Sequence, residues 1–215
     1  MGFTGKAFGR TISAVLGLFF VLRVFAEVAV VDDAGQEVAL TSPAMRVVSL
    51  APNITEILFF IGAGEQMVGA VEYSDFPPAA RDLPVIGSHN RFDVEQILSL
   101  KPDLIVGWLS GNSLEDLEGL KRLGLPVFIS EPSTVEGIVS LMERLGALTG
   151  HQAQSLSQAS AFRASFNASR ETYSTRRQVS VFYQVWEQPI YTLNGDHVIS
   201  QLISLCGGRN IFSDL

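Results

Sequence analysis

Tyr73, His89 and Trp108 are the side chains of this sequence best suited to engage a ligand, and each follows a short apolar run. The runs are QMVGAV before Glu72-Tyr73-Ser74-Asp75, Pro84 to Ser88 before His89-Asn90, and LIVG before Trp108. Aromatic faces supply a large contact area with few rotatable bonds. Rings at successive strand ends therefore describe a wide, flat-walled pocket. Taken alone, Trp108 reads as readily as a core residue capping its strand. Trp186, after QVSVFYQV, is placed to face these rings across a cleft.

Turnover would need further groups, and the sequence does not carry them in recognisable order. It has no nucleophile elbow of G-x-S-x-G type, no Walker loop, no G-x-G-x-x-G after a strand and no H-E-x-x-H. His89, His151 and His197 are far apart, and no ligand spacing for a resident metal emerges. His89 reads as a polar lip residue; axial ligation of an iron or cobalt centre carried by the ligand is the alternative. Asp75 and Glu131 also fall at strand ends, but surface loops carry such acids routinely. The expectation is binding without catalysis, with no catalytic residue assigned. An exported α/β enzyme using the same cleft is the rival class, opposed by the lack of any nucleophile and base spacing.

These residues need a frame, and the composition bounds it. The chain has 215 residues, 47% of them hydrophobic and 17% charged, the profile of a folded globular protein. Lys6 and Arg10 precede an apolar run over 12–22, and Val24-Phe25-Ala26 suits a cut after Ala26, so residues 1–26 read as an export signal. The run is short for a membrane span and Arg23 closes it; a retained anchor is the alternative. No cysteine lies near the cut, which points to a soluble exported product rather than a lipid-anchored one. The signal takes three cations and no acid with it, moving the formal charge from −7 to −10. A body this acidic is a poor partner for nucleic acid. The single Cys206 suggests a free thiol, a partner on another chain, or a second cysteine beyond this sequence.

The pattern along the chain alternates. A hairpin over 28–40 turns at Asp33-Ala34-Gly35; then short apolar runs alternate with helices opening at Asn53 (a capping box with Glu56), Asp93, Ser113 and Thr134. Five strands separated by helices argue for a parallel sheet with right-handed crossovers, and ligands bind outside the carboxyl ends of such strands. The expected division is an N-terminal α/β ligand-binding lobe over 27–150, one long amphipathic linking helix over 151–175, and the start of a C-terminal α/β lobe over 176–215. The fold class is thus α/β, two doubly wound lobes joined by one long helix. Forty residues are few for a closed layer, so the second lobe reads as incomplete and the chain as a fragment.

RVVSLAPNITEILFFIGAGEQMVG, VEYSDFPPAARDLPVIG, DVEQILSLKPDLIVGW and CGGRNIF carry a resemblance. Over about 46–212 the chain resembles the periplasmic cobalamin (vitamin B12)-binding proteins of ABC importers, within the larger group that binds siderophores and haem. The resemblance implies a monomeric periplasmic receptor that holds cobalamin between two lobes as a transported ligand, not a cofactor, and hands it to permease subunits. Pro52, Tyr73 and Trp108 match positions lining the corrinoid pocket, and Trp186 falls in the loop forming the second lobe's wall. His89 stands where the family often has an aromatic ring. Glu95 matches an acid that docks one lobe on the permease; its plainer role is a carboxylate favoured by a helix's first turn. A partner for Cys206 would lie in a further stretch of the family's fold. Haem or a ferric siderophore is the alternative cargo, although anionic siderophores call for arginines and Arg91 alone is near the rim.

Overall fold

The computed structural model describes residues 1–2 and 27–215, so the export signal and its cut after Ala26 lie outside the described residues. Chain order begins with β1 (Val28–Val31) and β2 (Glu37–Leu40), an antiparallel hairpin. Its turn is organised by Asp32, whose Oδ1 accepts from the amides of Ala34 (3.0 Å) and Gln36 (2.8 Å). The second carboxylate oxygen accepts from Ile129 N at 3.2 Å, which fastens the hairpin to the sheet.

That sheet is built from β3 (Val47–Ser49), β4 (Met67–Ala70), β7 (Leu104–Trp108) and β8 (Val127–Ser130), all parallel in the order β4-β3-β7-β8. Helix α1 (Pro52–Phe60) follows β3; the short β5 (Gly87–Ser88) and β6 (Arg91–Phe92) and helix α2 (Val94–Ser99) precede β7. Helix α3 (Leu114–Arg122) leads to β8, and α4 (Val135–Leu148) follows it. Successive strand residues point to opposite faces. Val47, Leu104, Val106 and Phe128 thus join one buried cluster with α1 and α4, while Val48, Ile105 and Ile129 join another with α2 and α3. Helices on both faces explain why these strands read as continuous apolar runs.

Two sequence expectations are corrected. The run beginning at Pro84 does not form a fifth parallel strand. It makes one parallel bridge, Val85 to Ala70, and then turns back as the antiparallel β5–β6 hairpin. Pro84 has no amide to give a ladder, and Gly87 sits at φ 110°, where a Cβ would collide with the Arg91 carbonyl. Helix α1 is not capped by Asn53. It starts two residues earlier, with extended Ala51 as N-cap and Pro52 as the first helical residue. Proline suits that position because its missing amide would have no partner there. The caps at Asp93, Ser113 and Thr134 form as expected, each side chain accepting from the amide three residues on.

Helix α5 (Gln152–Ser174) runs for 23 residues and packs along α4. The approach is close enough that a Cβ on Gly146 would collide with Ser155. Arg163 on α5 grips Glu136 on α4 with Nη2 2.7 Å from Oε2. Beyond α5, β9 (Val179–Val181) pairs parallel with β12 (Gly208–Asn210), and β10 (Trp186–Glu187) forms a hairpin with β11 (Ile190–Tyr191). Helix α6 (Val198–Leu205) packs on α5, and its Gln201 Oε1 accepts from Val135 N at 3.1 Å. Cys206 is exposed just after α6.

Candidate functional site

The carboxyl ends of β3, β4, β7 and β8 send out loops at one edge of the sheet. Ser49 at the end of β3, Thr55 in α1 and Ser74 in the loop after β4 bring three buried hydroxyls together. Thr55 Oγ1 lies 3.0 Å from Ser49 Oγ and 3.1 Å from Ser74 Oγ. Ser49 Oγ in turn donates to the Ala51 carbonyl at 2.9 Å. The first two loops are thereby sewn together beneath the surface, and Pro52 sits half-buried at the start of α1 above them.

Tyr73 lies between fixed points of that seam. Ser74 is anchored on one side, and Glu72 N donates to Gly87 O at 2.8 Å on the other. Tyr73 itself has φ 66° and is 81% exposed. A left-handed backbone costs a non-glycine residue roughly 1–2 kcal/mol, and an exposed ring gains nothing from the core. Two unfavourable features thus coincide at this residue, and no packing of the ring offsets them.

Trp108 ends β7, opposite Ser130 of β8, half-buried and packed against the cluster beneath α1 and α4. The turn after it is pinned on two sides. Ser110 donates from N and Oγ to the two Glu131 oxygens at 2.8 and 2.9 Å, and Glu131 N donates to Asp33 Oδ2 at 2.6 Å. Glu131 is thus engaged in holding this turn. Asn112, only 8% exposed, accepts from Trp108 N at 2.7 Å and donates to the carbonyls of Leu50 (3.0 Å) and His89 (2.6 Å). One amide therefore joins the loops after β3 and β7 to the β5–β6 turn. Asn112 is absent from the residues singled out in the sequence. The available signal was an asparagine after glycine in a turn, a type that bonds nearby backbone.

His89 is exposed on the β5–β6 turn, where its backbone carbonyl, not its ring, is engaged. The other two histidines are used locally: His151 Nδ1 lies 3.0 Å from the Thr149 carbonyl, and His197 Nδ1 accepts from Ile199 N at the start of α6. Among the described residues, no three His, Cys, Asp or Glu side chains converge as a metal site.

Pro52, Tyr73, His89 and Trp108 are thus linked through the hydroxyl seam and Asn112. Trp186 stands apart: it is 61% exposed on the β10–β11 hairpin, and its indole nitrogen donates to Gln188 O at 3.2 Å within that hairpin. Glu95 is exposed in the first turn of α2, outside the rim network. Other motif residues prove architectural. Asp103 of the K-P-D-L segment accepts from the amides of Met45 (2.9 Å) and Arg46 (2.8 Å), and Arg46 caps α2 by donating to Leu100 O at 2.6 and 2.9 Å.

The sequence model of a family described as periplasmic binding protein matches residues 47–215. The chain belongs to the periplasmic binding protein family. Members of this family are substrate-binding proteins rather than enzymes, and the family is periplasmic. The chain is 39% identical over 171 residues to the vitamin B12-binding protein of Vibrio campbellii, covering 80% of this chain and 62% of that protein. It therefore spans less than two thirds of the length of that relative. Among solved structures it is similar to the periplasmic vitamin B12-binding protein BtuF of Vibrio cholerae, with a TM-score of 0.73 and 39% identity over 80% of this chain and 68% of the other. The periplasmic heme-binding protein RhuT of Roseiflexus matches with a TM-score of 0.68 and 26% identity over 80% and 67% of the two chains.

Proposed function

We propose that this chain carries the N-terminal lobe and part of the second lobe of a periplasmic receptor that captures cobalamin and delivers it to an inner-membrane ABC importer. The observation that carries the reading is the exposed, left-handed Tyr73 on a rim shared with Trp108 and pinned from below. Corrin is a broad disc with amide arms and little net charge, so flat aromatic walls and a few polar groups suit it. Pro52, Tyr73, His89 and Trp108 form one wall in this reading, and Trp186 belongs to the other. The 39% identity to vitamin B12-binding relatives supports the choice of cargo. Residues 27–150 make the ligand-binding lobe, 151–175 the linking helix and 176–215 the beginning of the second lobe. The receptor is monomeric and exported, cut after Ala26, and Glu95 docks it on the permease.

A second reading keeps the same role with haem or a ferric siderophore as cargo. The exposed His89 imidazole favours it, since an imidazole can serve as an axial ligand to a metal centre carried by the ligand. Titrating the protein with cyanocobalamin, haemin and a ferric hydroxamate, by tryptophan fluorescence and calorimetry, separates the two. Saturable binding of cyanocobalamin is expected; saturation by the iron ligands alone would overturn the cobalamin reading.

A further inference from the structure

The turn after β7 holds the indole more closely than ending a strand requires. Asn112 grips Trp108 on both sides of its Cα: its Oδ1 accepts from Trp108 N at 2.7 Å, and its backbone N–H donates to Trp108 O at 2.9 Å. The same side chain reaches Leu50 and His89 through its amino group, so the turn cannot shift without disturbing two other loops. Between these fixed points lies Gly111. A Cβ at that position would collide with Cε3, Cζ3 and Cδ2 of Trp108, all atoms of the benzene half of the indole. The ring therefore rests on the Gly111 backbone. Gly111 is not among the glycines with a left-handed backbone. Its missing side chain makes room for the ring; the chain conformation does not demand glycine.

We infer that Gly111 and Asn112 are positioning residues that set the pose of the Trp108 indole and, through it, the affinity for the corrinoid. The inference rests on the reading of Trp108 as a ligand-facing wall. Physically it is preorganisation. A ring already held in its bound orientation loses little freedom when the ligand arrives, whereas a loose ring pays that ordering at each binding event.

Gly111→Ala tests the inference because alanine suits the backbone and meets only the ring. The chain holds two tryptophans, so in a Trp186→Phe background the emission of ligand-free protein reports Trp108 alone. There Gly111→Ala should shift the emission to the red and raise its quenching by acrylamide. With Trp186 intact, the same substitution should weaken cyanocobalamin binding about tenfold by equilibrium dialysis. In a Trp108→Ala background it should change affinity less than about twofold, since the coupled partner is gone. Trp108→Phe, whose smaller ring leaves room for the methyl, replaces Trp108→Ala if the latter fails to fold. Asn112→Asp keeps the acceptor for Trp108 N and removes the two bonds that the side-chain amino group donates to Leu50 and His89, and should weaken binding in the same direction. Unchanged emission, unchanged affinity, or an equal loss of affinity with and without the indole would each overturn the inference. If the parent protein binds no cyanocobalamin, the cargo reading fails, while the emission arm still decides whether Gly111 sets the pose.

Discussion

Trp108 touches the buried cluster beneath α1 and α4 and is still only half-buried, so removing its ring has separable consequences for stability and for binding. Trp108→Ala is expected to weaken cyanocobalamin binding by about 1–3 kcal/mol, read by calorimetry. Unchanged affinity with a lowered melting temperature would return the ring to the core. Tyr73 invites the opposite comparison. Its left-handed backbone is strained for a tyrosine and easy for glycine, and its ring is mostly in solvent. Tyr73→Gly should therefore raise stability by roughly 0.5–1 kcal/mol in chemical denaturation while weakening the ligand. A stability gain coupled to a binding loss is the signature of strain kept for function. A loss of both would make Tyr73 structural.

At the scale of elements, the rim depends on groups that never reach its surface. Thr55→Val keeps the shape of the buried side chain and removes the hydroxyl that meets Ser49 and Ser74. Ser74 Oγ would lose this partner and Ser49 Oγ would keep only its bond to Ala51 O, which should cost about 1–3 kcal/mol in urea denaturation. The clasp between α4 and α5 behaves differently because it is exposed. Hydrogen bonding to the Arg163 guanidinium holds the Glu136 carboxyl below the usual carboxylate range, and Arg163 is raised in return. With the folded pKa of Glu136 below its unfolded value, the contribution is complete above the ordinary carboxylate range and disappears as pH falls through the lowered value. Arg163→Gln should thus lower the melting temperature slightly at neutral pH, with the difference vanishing in acid and shrinking in high salt. The alternation of apolar runs and capped helices made the parallel sheet legible, and side-chain caps at Asp93, Ser113 and Thr134 are local enough to read directly. Strand ends therefore located Tyr73 and Trp108. The seam and Asn112 were not legible, because Thr55 meets Ser74 across 19 residues and Asn112 meets Leu50 across 62. The strand expected from Pro84 and the Asn53 cap failed for a related reason. Proline's missing amide and the space beside Gly87 decided them, and apolar patterning records neither.

At the scale of the whole molecule, the receptor reading needs a surface that meets the importer without disturbing the ligand. Glu95 meets that condition in position. It is exposed on the first turn of α2, and among the described residues no cation lies within ion-pair range of it. Its competing role is purely local: a carboxylate near a helix N-terminus gains roughly 0.3–1 kcal/mol from the helix dipole. Reversing the charge separates the roles because they act on different observables. If Glu95 serves only the helix, Glu95→Arg lowers stability by up to about 1 kcal/mol and leaves transport alone. If it docks on cationic permease residues, the same change places like charges opposite one another and should cut delivery about tenfold or more. Cyanocobalamin uptake into proteoliposomes holding the cognate importer measures delivery, and a parallel titration of the free receptor confirms that its affinity is intact. Glu95→Gln, neutral and nearly isosteric, should fall between parent and reversal in uptake. Normal uptake by the Glu95→Arg protein would leave the helix as the sole reason for the acid.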